Sequence, residues 1–273
     1  MTWPRRLLLV GLCVLGAAGL AASCFVLLDL VQLVLTGTVT DRHGRTDWDG
    51  VGLRMASAVA GTALLRLATH WHRRAWSRCP SCGGVHDLPV RRVARPPVSA
   101  ASRRTCLAAA AGCLAFGPYL AVHGLHAAGL APWLDDLYND KPILPGPALL
   151  VFAVLAVGLV GPAVFLMLGL VRPWGMKFPA WTGPLAGRRV PRYLPLTAVA
   201  LVAPTLSLYG VGSLVYALVH GYRLLSLGGA GSLAFGGYGW ALLVAASSYL
   251  RRTRPVCVTD RSEPQPDMGH GRC

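Results

Sequence analysis

The sequence reads as an all-α protein, an integral membrane helical bundle of six transmembrane helices with both ends of the chain in the cytosol. Three features carry that reading. The 273 residues are 54% hydrophobic and only 14% charged, against roughly 25% charged in an ordinary soluble domain, and the mean hydropathy is +0.50. The apolar residues gather into runs long enough to cross about 30 Å of hydrocarbon, which takes about 20 residues. The cations gather between those runs. A soluble globule, a disordered chain and a disulfide-rich secreted scaffold all fit poorly.

The first span covers about 7–34, uncharged from 7 to 28 and ending near Asp29. Arg5 and Arg6 followed by an apolar run imitate a signal peptide, but the run outlasts an h-region. Ala21 also stands where a lipoprotein signal needs Leu. The second span, about 51–69, carries Arg54 and Arg66 near its ends, where long side chains snorkel to the headgroups. A cytoplasmic loop, 70–104, follows. Spans three to six lie at about 105–128, 146–171, 195–219 and 229–250, and residues 256–273 read as a flexible cytoplasmic tail. Pro118, Pro162 and Pro204 each fall inside a span and are expected to kink it.

Pro118-Tyr119-Leu120 through Gly124 and Pro204-Thr205-Leu206 through Gly210 share a P-x-L-x-aliphatic-aromatic-G pattern. This raises the prospect of a parallel repeat of helix pairs, as some transporters have. Gly228, Ser232 and Gly236 form a small-residue stripe suited to close helix packing.

Orientation follows from the charges. With six spans and the N-terminus inside, twenty of the 26 Lys and Arg residues face the cytosol and four face outward. This is a strong positive-inside bias. Seven of the eight tryptophans (Trp3, Trp48, Trp71, Trp76, Trp133, Trp174, Trp181) stand beside predicted helix ends, where amphipathic rings prefer the interface. A net charge of +15 distributed this way points to anionic lipid, and no signature of a nucleic-acid-binding fold accompanies it. The expected location is the bacterial cytoplasmic membrane, with the bilayer as partner and cytosolic thiols reduced.

Three constellations are candidates for chemistry. Cys79-Pro80-Ser81-Cys82-Gly83 resembles the knuckle of a zinc ribbon, whose tight turn lets two thiolates grip one Zn²⁺. A structural site needs four ligands. His86 with His72 (or His70) would complete it, and Cys257, His270 and Cys273 are the other candidates. The second is a polar group near the outer face: Asp29, Arg54, His123 and His126. Pairing of Asp29 with Arg54 across a helix hairpin would remove two bare charges from a low-dielectric layer, whereas a shared pocket would suit transport. The third is the connector carrying Arg172, Trp174, Lys177, Trp181, Arg188, Arg189 and Arg192, cations interleaved with aromatic rings as anionic headgroups favour.

In this connector the sequence resembles a group of uncharacterised multi-pass membrane proteins of GC-rich bacteria with R-P-W-G…P-x-W…G-R-R-x-P-R segments. The resemblance covers mainly residues 118–215 and implies no activity. The expected role is non-catalytic, acting through lipid or partner contacts at the basic inner face. The alternatives are a small transporter or channel with a polar outer pocket, or a membrane enzyme or metal-dependent redox protein using the histidines or Cys79 and Cys82. No P-loop, H-E-x-x-H or G-x-S-x-G motif is present.

Overall fold

The computed structural model describes residues 3–26, 29–30, 32–33, 37–41, 44–86, 90, 92–128, 130, 150, 153–154, 156–221 and 227–258. These form a mostly helical protein in chain order α1 (Trp3–Ala22), α2 (Trp48–Ala75), β1 (Arg92–Ala94), α3 (Arg103–Leu114), α4 (Phe116–Ala127), α5 (Gly161–Val171), α6 (Tyr193–His220), α7 (Leu227–Arg252) and β2 (Val256–Val258). A π-helical turn, Ala156–Val160, leads into α5. Five helical stretches are long and apolar enough to cross a membrane: Trp3–Ala22, Trp48–Ala75, Arg103–Leu125, Tyr193–His220 and Gly229–Arg252. The fourth expected span appears as a shorter apolar helix, Ala156–Val171, and most of residues 146–155 lie outside the described set.

The chain clusters into two compact units. In the first, α1 and α2 form a hairpin that crosses at glycine. A Cβ on Gly61 would stand 2.8 Å from the Gly16 carbonyl and 2.9 Å from the Leu20 nitrogen, so the backbones touch where larger residues would hold them apart. The other faces of α1 carry exposed Leu7, Val10, Val14 and Leu15, an arrangement costly in water and natural in hydrocarbon. Asp47 caps α2, its carboxylate accepting from the Gly50 N–H at 3.0 Å.

The expected single first helix to residue 34 is interrupted. At residues 23–25 the backbone tightens into turns, with the Ser23 N–H shared between the Gly19 and Leu20 carbonyls and the Ser23 hydroxyl on Leu20 O at 2.8 Å. Helical bonding then resumes from Asp29 N–H to Phe25 O. The second span is longer than its charge-free stretch, because Arg54 and Arg66 are accommodated within the 28 residues of α2.

The second unit is organised around α7. Ala230, Ala234, Tyr238, Leu242, Ala245 and Tyr249 recur three or four residues apart and are fully buried, one face of a helix. Hydroxyls on that face are satisfied by backbone: Tyr238 donates to Ala163 O at 2.7 Å and Tyr249 to Gly175 O at 3.0 Å. The prolines behave unequally. Pro118 has no N–H to return to Leu114 O, and the helix breaks at Ala115 between α3 and α4. Pro162 sits in the first turn of α5 beside the π turn, where a missing donor costs little. Pro204 lies inside the uninterrupted α6, so the two sequence-similar segments are not structurally alike at their prolines.

Two further expectations change. The tail is not wholly irregular, since β2 pairs antiparallel with β1, Val93 opposite Cys257. Of the cysteines, Cys13, Cys24, Cys79, Cys82, Cys113 and Cys257 are free thiols, whereas Cys106 is disulfide-bonded.

Candidate metal centre

The centre begins where α2 ends. Past Ala75 the chain reverses, Ser77 taking a left-handed backbone (φ 50°) and the Arg78 N–H donating to Arg73 O at 2.7 Å. The turn that follows is closed on itself: Gly83 N–H donates to Cys79 O at 2.7 Å and Cys79 N–H to Gly84 O at 2.8 Å. Gly83 sits at φ +68°, a conformation glycine takes without steric cost. The Gly84 N–H points at the Cys82 sulfur at 3.3 Å. Arg73 donates to Pro80 O at 2.5 Å, and the Arg254 Nε donates to Cys82 O. His86, four residues beyond Cys82, brings its Nε2 to 2.9 Å from that sulfur.

The remaining sulfur comes from far along the chain. Arg254 anchors the knuckle just before β2, and β2 pairs with β1 of the same loop. Cys257, at the middle of β2, thereby places its Sγ 3.7 Å from the Cys79 Sγ. The donor atoms of Cys79, Cys82, His86 and Cys257 all lie within 4.8 Å of one another, a group that could hold a metal ion. With metal–sulfur bonds of about 2.3 Å, a tetrahedral site has sulfur–sulfur edges of about 3.8 Å, so the Cys79–Cys257 edge already fits. The Cys82–His86 separation is that of a hydrogen bond, and the imidazole would move out by about half an ångström to ligate.

Charge in the centre is unevenly held. Backbone N–H groups of Cys82 and Ser81 directed at the Cys79 sulfur lower its thiol to about 6. Desolvation, then the nearby sulfurs of Cys82 and Cys79, push Cys257 up to about 12. Three sulfurs this close do not all ionise without a cation among them. A divalent ion bound here would displace the remaining protons and tie the set together.

His72 does not join this group. It lies in the last turn of α2 with its ring stacked on Trp76, centroids 4.5 Å apart, and its Nδ1 is buried without a hydrogen-bond partner among the described residues. Cys257 takes the place expected for it. His270 and Cys273 lie outside the described residues.

The polar group near the other end of α2 is an ion-pair knot. Arg54 grips Asp29 with two bonds, Nε to Oδ2 at 2.6 Å and Nη2 to Oδ1 at 3.1 Å, and Nη2 also reaches Asp47 Oδ2 at 3.1 Å. Asp29 and Arg54 pair across the hairpin as anticipated; Asp47 is the member that composition alone did not single out. Its place at an N-cap before an apolar run was the available signal. His123 belongs to the second unit, where its Nδ1 meets Tyr119 O at 3.0 Å and its ring stacks on Tyr119. The side chain of His126 lies outside what is described.

The basic connector is folded rather than loose. Lys177 and Arg189 are bridge partners, Phe178 N–H donates to Arg188 O and Val190 N–H to Met176 O. A Cβ on Gly175 would fall 1.5 Å from Gly169 O, so this contact admits only glycine. Trp174 stacks on Phe165 at 4.9 Å, Trp181 is 72% exposed, and Arg192 donates to Leu250 O at 3.4 Å. Arg172 and Arg188 stand exposed on the same connector.

No protein-family model, curated protein or solved structure matches the chain.

Proposed function

We propose that the chain is a multi-pass protein of the bacterial cytoplasmic membrane, with six spans and both ends cytosolic, whose basic inner face is shaped by a structural zinc centre and works by binding rather than catalysis. The observation that carries this reading is the convergence of the Cys79, Cys82, His86 and Cys257 donors within 4.8 Å. Three sulfurs and one imidazole nitrogen suit Zn²⁺. Four protein ligands fill a tetrahedron and leave no open position for water or substrate, the mark of a structural site. A loop of the length of 70–104 has little core of its own, and a metal clip supplies the missing cohesion.

Six spans are favoured over five because the apolar helix Ala156–Val171 is preceded in sequence by a further uncharged stretch from residue 142. The basic connectors then share one side and face anionic lipid. The test is metal analysis of the purified full chain under reducing conditions. One zinc per chain is expected, falling to near zero in the Cys79→Ser, Cys82→Ser double variant. Reduced protein without stoichiometric zinc overturns the centre. A reporter fused within residues 73–104 that reads periplasmic overturns the orientation.

A further inference from the structure

A cleft of about 480 Å³ opens beside the connector between α5 and α6, lined by Val98, Trp174, Lys177, Phe178, Pro179 and Gly187 among others. Its walls are aromatic and aliphatic with one charged group, Lys177. Around it the sequence is one-signed: no Asp or Glu occurs between residues 141 and 259, while the connector itself adds Arg172, Arg188, Arg189 and Arg192. The bridge between Lys177 and Arg189 brings a second cation into register with Lys177 and adds to the positive charge beside the cleft. The connector leaves one apolar helix at Val171 and enters another at Tyr193, and Trp181, Leu185 and Tyr193 stand exposed along it, the profile of residues at a membrane surface.

We infer that this cleft is a binding site for the headgroup of an anionic phospholipid of the adjoining leaflet, with Lys177 on the phosphate and Trp174 and Phe178 against the glycerol and upper acyl region. The inference rests on the proposed orientation of the connector and deepens the proposed binding role. An ammonium on a flexible stem is a good point-charge partner for phosphate, and each basic residue near an anionic surface is worth about fivefold in affinity.

The experiment uses the full chain in detergent, offered phosphatidylglycerol or phosphatidylcholine of identical acyl chains, with bound lipid counted by native mass spectrometry. About fivefold preferential retention of phosphatidylglycerol is expected. Lys177→Gln is expected to remove the preference. Ala186→Leu, which fills the cleft without changing any charge, is expected to remove it too. Arg251→Gln, at an exposed cation that does not line the cleft, is expected to keep it. The site is overturned if the wild-type chain shows no preference, or if Ala186→Leu retains it in full. Equal loss in all three variants marks diffuse surface charge, and displacement of the lipid by millimolar glycerol phosphate marks a soluble-anion pocket; either overturns it. Zinc is counted in the same samples. Zinc without lipid preference sinks this inference alone, and preference without zinc sinks the metal centre alone.

Discussion

The two ends of α2 hold their neighbours by opposite means. At the N-terminal end, Arg54 lies between Asp29 and Asp47, and the charges needed for cohesion are all written into the chain. Beyond the C-terminal end, four metal-ligating donors converge with no cation among the four. The first arrangement is complete when the polypeptide folds. The second, as a metal centre, would be complete only with an added cation. One end of the helix is therefore independent of its surroundings in composition, and the other, on the proposed reading, would take its stability from metal supply.

The largest expected effect breaks the C-terminal end alone. Cys257→Ser removes the donor that links the far end of the chain to the knuckle; metal content should fall from one per chain to near zero. Limited proteolysis should then cut between residues 252 and 258, while the α1–α2 hairpin stays protected. A chelator should produce the same pattern in the unaltered chain, since metal-binding free energy is folding free energy at such sites.

Breaking the N-terminal end is expected to matter less. Arg54→Met leaves Asp29 and Asp47 without their cation. Because Arg54 and Asp29 keep 23% and 12% of their side-chain surface, the loss should be about 1–3 kcal/mol, short of the ~3–5 kcal/mol of a fully buried pair. It is read as a lower thermal midpoint with metal content unchanged. Arg54→Lys should lose less, since it keeps the charge and forfeits only the two-pronged geometry.

Acidity separates the ends further. In the metal-free centre the Cys79 thiol lies near 6 and Cys257 near 12. At pH 7.5 metal entry must expel at least the Cys257 proton, and below pH 6 the Cys79 proton as well. Affinity should thus fall as pH falls, more steeply below 6. Calorimetry in buffers of different ionisation enthalpy counts those protons; a pH-independent affinity would contradict the assignment. The smallest effect is Gly83→Ala. The left-handed backbone costs about 1–2 kcal/mol for a residue with a Cβ, and that Cβ would come within 2.6 Å of an Arg254 nitrogen. Metal affinity should drop about tenfold or more, without loss of the fold.

Legibility in the sequence followed distance along the chain. The knuckle is spelled by five consecutive residues, because a tight turn is a local object. Its distant sulfur was one candidate among several, because strands of three residues give no periodicity to read and His72 was nearer in sequence. Helix geometry settles against His72, whose ring is taken up by Trp76. Pro118 announced the break at Ala115 through its missing donor. The turn at residues 23–25 has no proline or glycine to announce it, and its bonds from Ser23 are visible only in three dimensions. The pairing of Asp29 with Arg54 was readable since few charges exist at that depth to choose from.

The 178-residue separation of Cys79 and Cys257 also orders events during synthesis. The knuckle leaves the ribosome first and then waits, at ordinary elongation rates, roughly 9–36 s for its distant sulfur. Through that interval the later apolar helices are made with the thiols of the early loop uncommitted. Closure of the ring is thus a late event relative to the knuckle, reached only once residue 257 has been made.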